Sequence, residues 1–196
     1  MTRVITISRQ CGAGGRELGR RLAEQLGIEC YDRRLIQMIA RKGELSEEEL
    51  WAYDQAELDE SIPIQERIAV SQRIYTAQRQ VIRSLASKGP CVIVGRCAGV
   101  IWPQALRLFI CGSEEARVRR MMEEQPQMDR AQALEHIRRV DARRKSYHEY
   151  YSTVEWDDPR GYDLCLNTGR IGIQGCLKTV LECLDWAEGW ENTKAE

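Results

Sequence analysis

The 196-residue sequence predicts an α/β fold, a parallel sheet with helices on both faces. Three observations predict it. Short apolar runs alternate with longer stretches of helical periodicity from one end of the chain to the other. Two of the runs, Val4-Ile5-Thr6-Ile7 and Cys91-Val92-Ile93-Val94, lack the alternating polar positions of a half-exposed strand, as strands covered on both sides require. The first run leads through a glycine cluster, Gly12-Ala13-Gly14-Gly15, straight into an amphipathic helix.

The elements follow in order. Residues 3–8 read as a buried strand and 15–26 as a helix, with Leu18, Leu22, Ala23 and Leu26 on one side and Gly27 ending it. Ile28 to Asp32 reads as a short strand, and Asp32 as the N-cap of a helix from about Arg33 to Arg41 that Lys42-Gly43 closes. Ser46 with Glu49 fits a capping box. Pro63 opens a long helix to about Ser87, and Lys88-Gly89-Pro90 breaks it. The strand at 91–94 runs into Gly95-Arg96-Cys97-Ala98-Gly99. After Pro103, Leu106 to Cys111 is a further strand, Ser113 caps a helix ending before Pro126, and Asp129 opens a helix to about Tyr151. Tyr162 to Asn167 is the last strand, and Ile173, Leu177, Val180, Leu184 and Ala187 mark the last helix. The chain reads as one domain over 1–196, with a helical insertion at 44–88 and a lid-like region at about 124–150.

Bulk composition narrows the function classes. With 43% hydrophobic and 30% charged residues, a packed core is within reach and global disorder is excluded. The formal net charge of -1 supplies no general field toward nucleic acid or an anionic membrane, so neither is expected as a partner and anion binding must be local. Of the 29 basic residues 24 are arginine, whose forked guanidinium matches phosphate and carboxylate oxygens two at a time. The eight cysteines form no Cys-x-x-Cys pair, and His136 and His148 are not spaced as paired ligands, so no metal site is expected. Cys91, Cys111, Cys165, Cys176 and Cys183 lie in apolar runs and read as core residues. No signal-peptide build and no apolar run of roughly 20 residues is visible, and a cytoplasmic location fits best.

Ligands of parallel sheets bind beyond the carboxyl ends of the strands. Four motifs fall there: 9–17, 31–34, 95–99 and 167–171. The first has the strand, glycine loop and helix layout that turns backbone N–H groups and a helix N-terminus toward an anion. A dinucleotide fingerprint fits poorly, because Glu17 stands where its third glycine belongs.

Residues 11–17 resemble the Ser-Gly-Ala-Gly-Lys-Gly-Thr loop of bacterial cytidylate kinases, with Cys11, Gly12, Ala13 and Gly14 in register. The wider string from Ile7 to Gly19, followed by Tyr31-Asp32-Arg33-Arg34-Leu35-Ile36, is similar to their divergent branch, the cytidylate kinase-like proteins. Val92 to Gly99 is similar to the family's Glu-Gly-Arg-Asp-Ile-Gly segment, Leu106 to Arg120 to its fourth strand and following helix, and Asp163 to Gly169 to its last strand. The resemblance implies a P-loop kinase-type three-layer sandwich. It also exposes departures: Gly15 replaces the phosphate-binding Lys, Glu17 the magnesium-binding Ser or Thr, and Cys97 an Asp.

The resemblance further implies roles. Gly12, Ala13, Gly14, Gly15, Arg16 and Glu17 would hold the phosphates of the donor ATP, with Arg16 the loop's only cation. Arg33 or Arg34, together with Arg96, would bind an acceptor phosphate, and Asp32 a base or sugar hydroxyl, with Asp141 also on the acceptor side. Lid arginines Arg139, Arg143 and Arg144 would stabilise the transferred group. Thr168 and Arg170 would touch the donor base. The implied activity is ATP- and Mg2+-dependent phosphoryl transfer to a small nucleotide, cytidylate first. A non-catalytic nucleotide- or anion-binding protein of the same fold, or a kinase of another phosphate-bearing metabolite, stands beside it. The Cys183, Trp186 and Trp190 stripe is either core or a contact in a homo-oligomer.

Overall fold

The computed structural model describes residues 4–46, 50 and 64–193. Five strands form one parallel sheet: β1 (Val4–Arg9), β2 (Glu29–Tyr31), β3 (Cys91–Val94), β4 (Leu106–Cys111) and β5 (Leu164–Asn167). Their order is β2-β3-β1-β4-β5. β1 is central, pairing with β3 from Val4 opposite Cys91 to Ile7 opposite Val94, and with β4 from Ile5 opposite Leu106 to Arg9 opposite Ile110. Helices α1 (Gly15–Leu26), α2 (Arg33–Gly43), α3 (Ile64–Lys88), α4 (Ala98–Ile101), α5 (Glu114–Glu124), α6 (Arg130–Tyr151) and α7 (Thr168–Thr193) complete the described fold. The α/β class and the parallel sheet expected from the sequence are the observed ones.

Two cores explain why the strands read as continuous apolar runs. Side chains of a strand alternate between faces. Val4, Cys91 and Ile93 join Leu35, Ile39, Ile74 and Ile82 of α2 and α3 on one face. Ile5, Ile7, Val92, Val94, Leu108 and Ile110 join Leu18 and Leu22 of α1 and Cys176 and Val180 of α7 on the other. A third, smaller cluster of Cys11, Val118, Met121, Ala133 and Ile137 packs α5 and α6 beside the glycine loop.

Several boundaries differ from expectation for local reasons. α2 does not end on a left-handed glycine: Gly43 is its last residue, close against Leu45 and Ala77, and the left-handed cap falls on Glu44 with φ 52°. Asp32 precedes α2 but makes no side-chain cap, because its carboxylate is taken by Arg16. α7 begins at Thr168 and is interrupted at Gly172, with φ 68° and ψ 170°. Cys165 is exposed rather than core, since β5 is the outer strand. The expected Ser46–Glu49 capping box falls at Glu49 outside the described residues, as do most of residues 47–63; the part of the 44–88 region that is described is dominated by α3.

Candidate functional site

The carboxyl ends of β1 and β3 open into a cleft of about 1240 Å3. Two turns form its floor. The first is the glycine loop, where Gly12 (φ 73°) and Gly14 (φ 75°) are left-handed. A Cβ at Gly12 would lie 2.6 Å from the carbonyl oxygen of Arg117, so the position excludes any side chain twice over. The second follows β3, where Gly95 (φ 84°), Arg96 (φ 60°) and Cys97 (φ 51°) are left-handed in succession. Two non-glycine residues held in this region store strain, and such strain persists only where the surroundings impose it.

Long-range bonds brace the loop. Cys11 N–H donates to Asp141 Oδ1 at 2.6 Å, and Arg117 Nη1 donates to Asp141 Oδ2 at 2.5 Å and to the Cys11 carbonyl at 3.2 Å. Thr168 Oγ1 donates to the Ala13 carbonyl at 2.8 Å, and Gly112 N–H to Gln10 Oε1 at 3.1 Å. Arg144 Nη1 donates to the Arg9 carbonyl at 2.9 Å. Burial pushes the Asp141 carboxyl upward, while the Cys11 N–H and the Arg117 guanidinium pull it back.

The second turn has its own support. Gln78, fully buried on α3, donates from Nε2 to the Arg96 carbonyl at 2.6 Å and accepts from the Tyr147 hydroxyl at 3.1 Å. Cys97 Sγ lies 4.0 Å from His148 Nδ1, both buried. Burial pushes the Cys97 thiol up to about 12 and the His148 imidazole down, so the pair is neutral near pH 7 and offers neither a thiolate nor a cation. α3 and α6 are joined further by the stack of Tyr75 on Tyr151, with centroids 3.6 Å apart, and by the Ser71–Tyr151 hydroxyl bond of 3.0 Å.

The walls are cationic. Among the described residues lining the cleft, eight arginines face three carboxylates, in a chain whose net charge is -1. The structure brings Gly12, Gly14, Gly15, Arg16, Glu17, Asp32, Arg33, Arg96, Arg143 and Arg144 to this cleft. Ala13 is buried beneath the loop. Arg16 turns aside: its Nε is 2.5 Å from Asp32 Oδ2. Glu17 is held by Arg21 and Arg120, each at 2.6 Å. Of the pair Arg33 and Arg34, the latter bonds Glu29 at 3.3 Å.

Others lie elsewhere. Asp141, expected on the acceptor side, spends its carboxylate on the glycine loop and Arg117. Arg139 is exposed and lines no part of the cleft. Thr168 sits beneath the loop and Arg170 on the surface, neither lining the cleft. Trp186 is exposed. Arg9 falls within the 9–17 motif but is given no role by the sequence, and Gln78 and the tyrosines of α6 are given none either. Arg9 ends β1, so its position before the loop was the available signal; for Gln78, a polar residue within the apolar periodicity of its helix was the signal.

Comparison with known proteins agrees with this architecture. The sequence model of the cytidylate kinase-like family matches residues 4–170. A cytidylate kinase of Methanothrix thermoacetophila is 29% identical over 182 residues, 92% of this chain and 97% of that protein. The crystal structure of an uncharacterized protein from Eubacterium ventriosum is 27% identical with a TM-score of 0.72, covering 93% of this chain and 98% of that one. Shikimate kinase from Bacteroides thetaiotaomicron, at 15% identity and a TM-score of 0.60 over 94% and 99% of the two chains, shares the fold.

Proposed function

The chain belongs to the cytidylate kinase-like family, and we propose that it transfers the γ-phosphoryl group of ATP to a nucleoside monophosphate, cytidylate foremost, in a reducing cytoplasm. The observation that carries this reading is the cleft itself. Two left-handed turns at the ends of adjacent strands face one space lined by eight arginines. Such a floor suits a ligand rich in phosphate on both sides. The free state of all eight cysteines fits the compartment.

The glycine loop suits the triphosphate. Its left-handed glycines and the N-terminus of α1 would turn N–H groups and partial positive charge toward one anion. Arg96 and Arg33, across the cleft, would hold the acceptor phosphate. Tyr147, Tyr150 and Tyr151 of α6 line the same cleft and offer flat apolar surface for a base, which favours a nucleotide acceptor. Arg143, also on α6, reaches the cleft from the lid side, where a guanidinium can balance charge on the transferred group. Little covalent chemistry is required, so positioning and charge neutralisation carry the rate.

Magnesium would arrive with ATP and neutralise phosphate charge there. The chain's own ligands fit it poorly. Glu17 stands at the hydroxyl position and is occupied by two arginines, and Asp32 by Arg16. Outside the cleft, Glu149, Glu155 and Asp157 gather around Lys145, with Nζ 3.0 Å from Asp157. No step is therefore routed through a protein-held metal. This occupation of Glu17 favours a second reading, a nucleotide-binding protein without turnover.

One assay separates the two. The purified chain is given Mg-ATP and a panel of nucleoside monophosphates, with shikimate as a non-nucleotide control. Turnover with cytidylate as the best acceptor is expected. ATP binding by calorimetry without turnover on any acceptor selects the second reading, and absence of both rejects the two together.

A further inference from the structure

We infer that Arg9, supplied by the strand rather than the loop, is a cation that meets the transferring phosphoryl group from the sheet side, opposite the role given to Arg143; the inference rests on the phosphoryl-transfer reading above. The loop has no lysine, and Gly15 stands where the bacterial cytidylate kinase loop that it resembles has one. The structure shows what fills that space. Arg9 is the last residue of β1 and lines the cleft. Its stem lies across Gly15: a Cβ there would be 2.7 Å from Arg9 Cβ and 2.9 Å from Cγ. Its head lies over Gly95: a Cβ there would collide with Arg9 Nη1 and sit 2.8 Å from Cζ. The side chain thus spans from the glycine loop to the turn after β3, the two places where the proposed reading puts donor and acceptor phosphates.

Two glycines make room for one arginine. Any side chain at position 15, a lysine's included, would drive its Cβ into the stem of Arg9. The register explains the reach. Ile7 pairs with Val94, and Gly95 N–H donates to the Ile7 carbonyl at 2.9 Å, so the end of β1 and the start of the second turn lie side by side. The positive charge of Arg9 is felt by the thiols of both Cys11 and Cys97, one on each side of the gap.

Arg16 points to Asp32 at 2.5 Å, and Arg117 is buried against Asp141 and Cys11. Arg144 holds the backbone carbonyl of Arg9 at 2.9 Å, which makes it a positioning residue for Arg9. A guanidinium presents two parallel donors, one for each of two phosphate oxygens, where a lysine presents a point charge. In the step itself, the bond from the acceptor oxygen to the γ-phosphorus forms while the β–γ bridging bond breaks. ADP leaves with that electron pair, and Arg9 forms and breaks no covalent bond.

The test compares Arg9→Met, which keeps the stem against Gly15 and drops the charge, with Arg16→Met. Arg9→Gln, with a polar head, guards against a folding failure, and thermal melting checks all three. With Mg-ATP and the best acceptor, kcat of the Arg9 variants is expected to fall on the order of 100-fold or more with acceptor KM little changed, while Arg16→Met loses less than about tenfold. An Arg9 variant that melts like the wild type and keeps kcat within about threefold overturns the inference and leaves the kinase reading standing. If the wild type turns over no acceptor, calorimetry with inorganic tripolyphosphate decides. Affinity lost in Arg9→Met but kept in Arg16→Met supports Arg9 as the phosphate ligand. Equal affinities, or no binding by the wild type, overturn it.

Discussion

The two turns that floor the cleft reach left-handed geometry by opposite routes. The loop after β1 puts it on Gly12 and Gly14, where no Cβ resists it. The turn after β3 puts it on Arg96 and Cys97 as well as Gly95, where each non-glycine residue costs on the order of 1 kcal/mol. The loop is therefore shaped by its own residues and merely anchored by Asp141, Arg117 and Thr168. The turn is shaped by its neighbours, Gln78 from α3 and, through Gln78, Tyr147 from α6. On the proposed reading, the turn that would hold the donor is shaped locally and the turn that would hold the acceptor is shaped by tertiary contacts. That difference makes the conformation of the second turn depend on the packing of α3 and α6, whereas the glycine loop draws only anchoring bonds from α6, through Asp141 and Arg144.

The largest test breaks the local half. Gly12→Ala places a Cβ 2.6 Å from the Arg117 carbonyl at a φ of 73°. The loop must move, and ATP affinity is expected to fall by about 100-fold or more, read by calorimetry, with the sheet and its melting transition retained. A smaller effect comes from the tertiary half. Gln78→Leu leaves the Arg96 carbonyl and the Tyr147 hydroxyl without their partner in a buried place, a loss of about 1–3 kcal/mol. Acceptor KM is expected to rise about tenfold while ATP affinity stays at the wild-type value. Equal damage to both ligands in either variant would erase the distinction between the turns.

The sequence carried the elements and the loop well because those depend on neighbours in the chain. α1 spans Gly15 to Leu26 as its periodicity predicts, and Asp129 forms a capping box with Gln132 at the head of α6. The residue roles were less legible because they depend on contacts between distant segments. Asp141 is 130 positions from Cys11, and no spacing rule joins them. Arg16 was the visible cation of the loop, yet Asp32 draws it off across the start of α2. Arg9 acquires its place only when β1 pairs with β3 and two glycines fall on either side of its stem. Cys165 read as core from its run, and lies exposed because its strand is the outer one.

On the proposed reading both turns engage one continuous phosphate chain. The most direct measurement is calorimetric binding of cytidine and adenosine joined 5′ to 5′ through a pentaphosphate, which links donor and acceptor in one molecule. Affinity about 100-fold or more above that of ATP alone is expected, since the second end binds at high effective concentration. Affinity no greater than that of ATP would contradict it, because the two turns would then not face a common ligand.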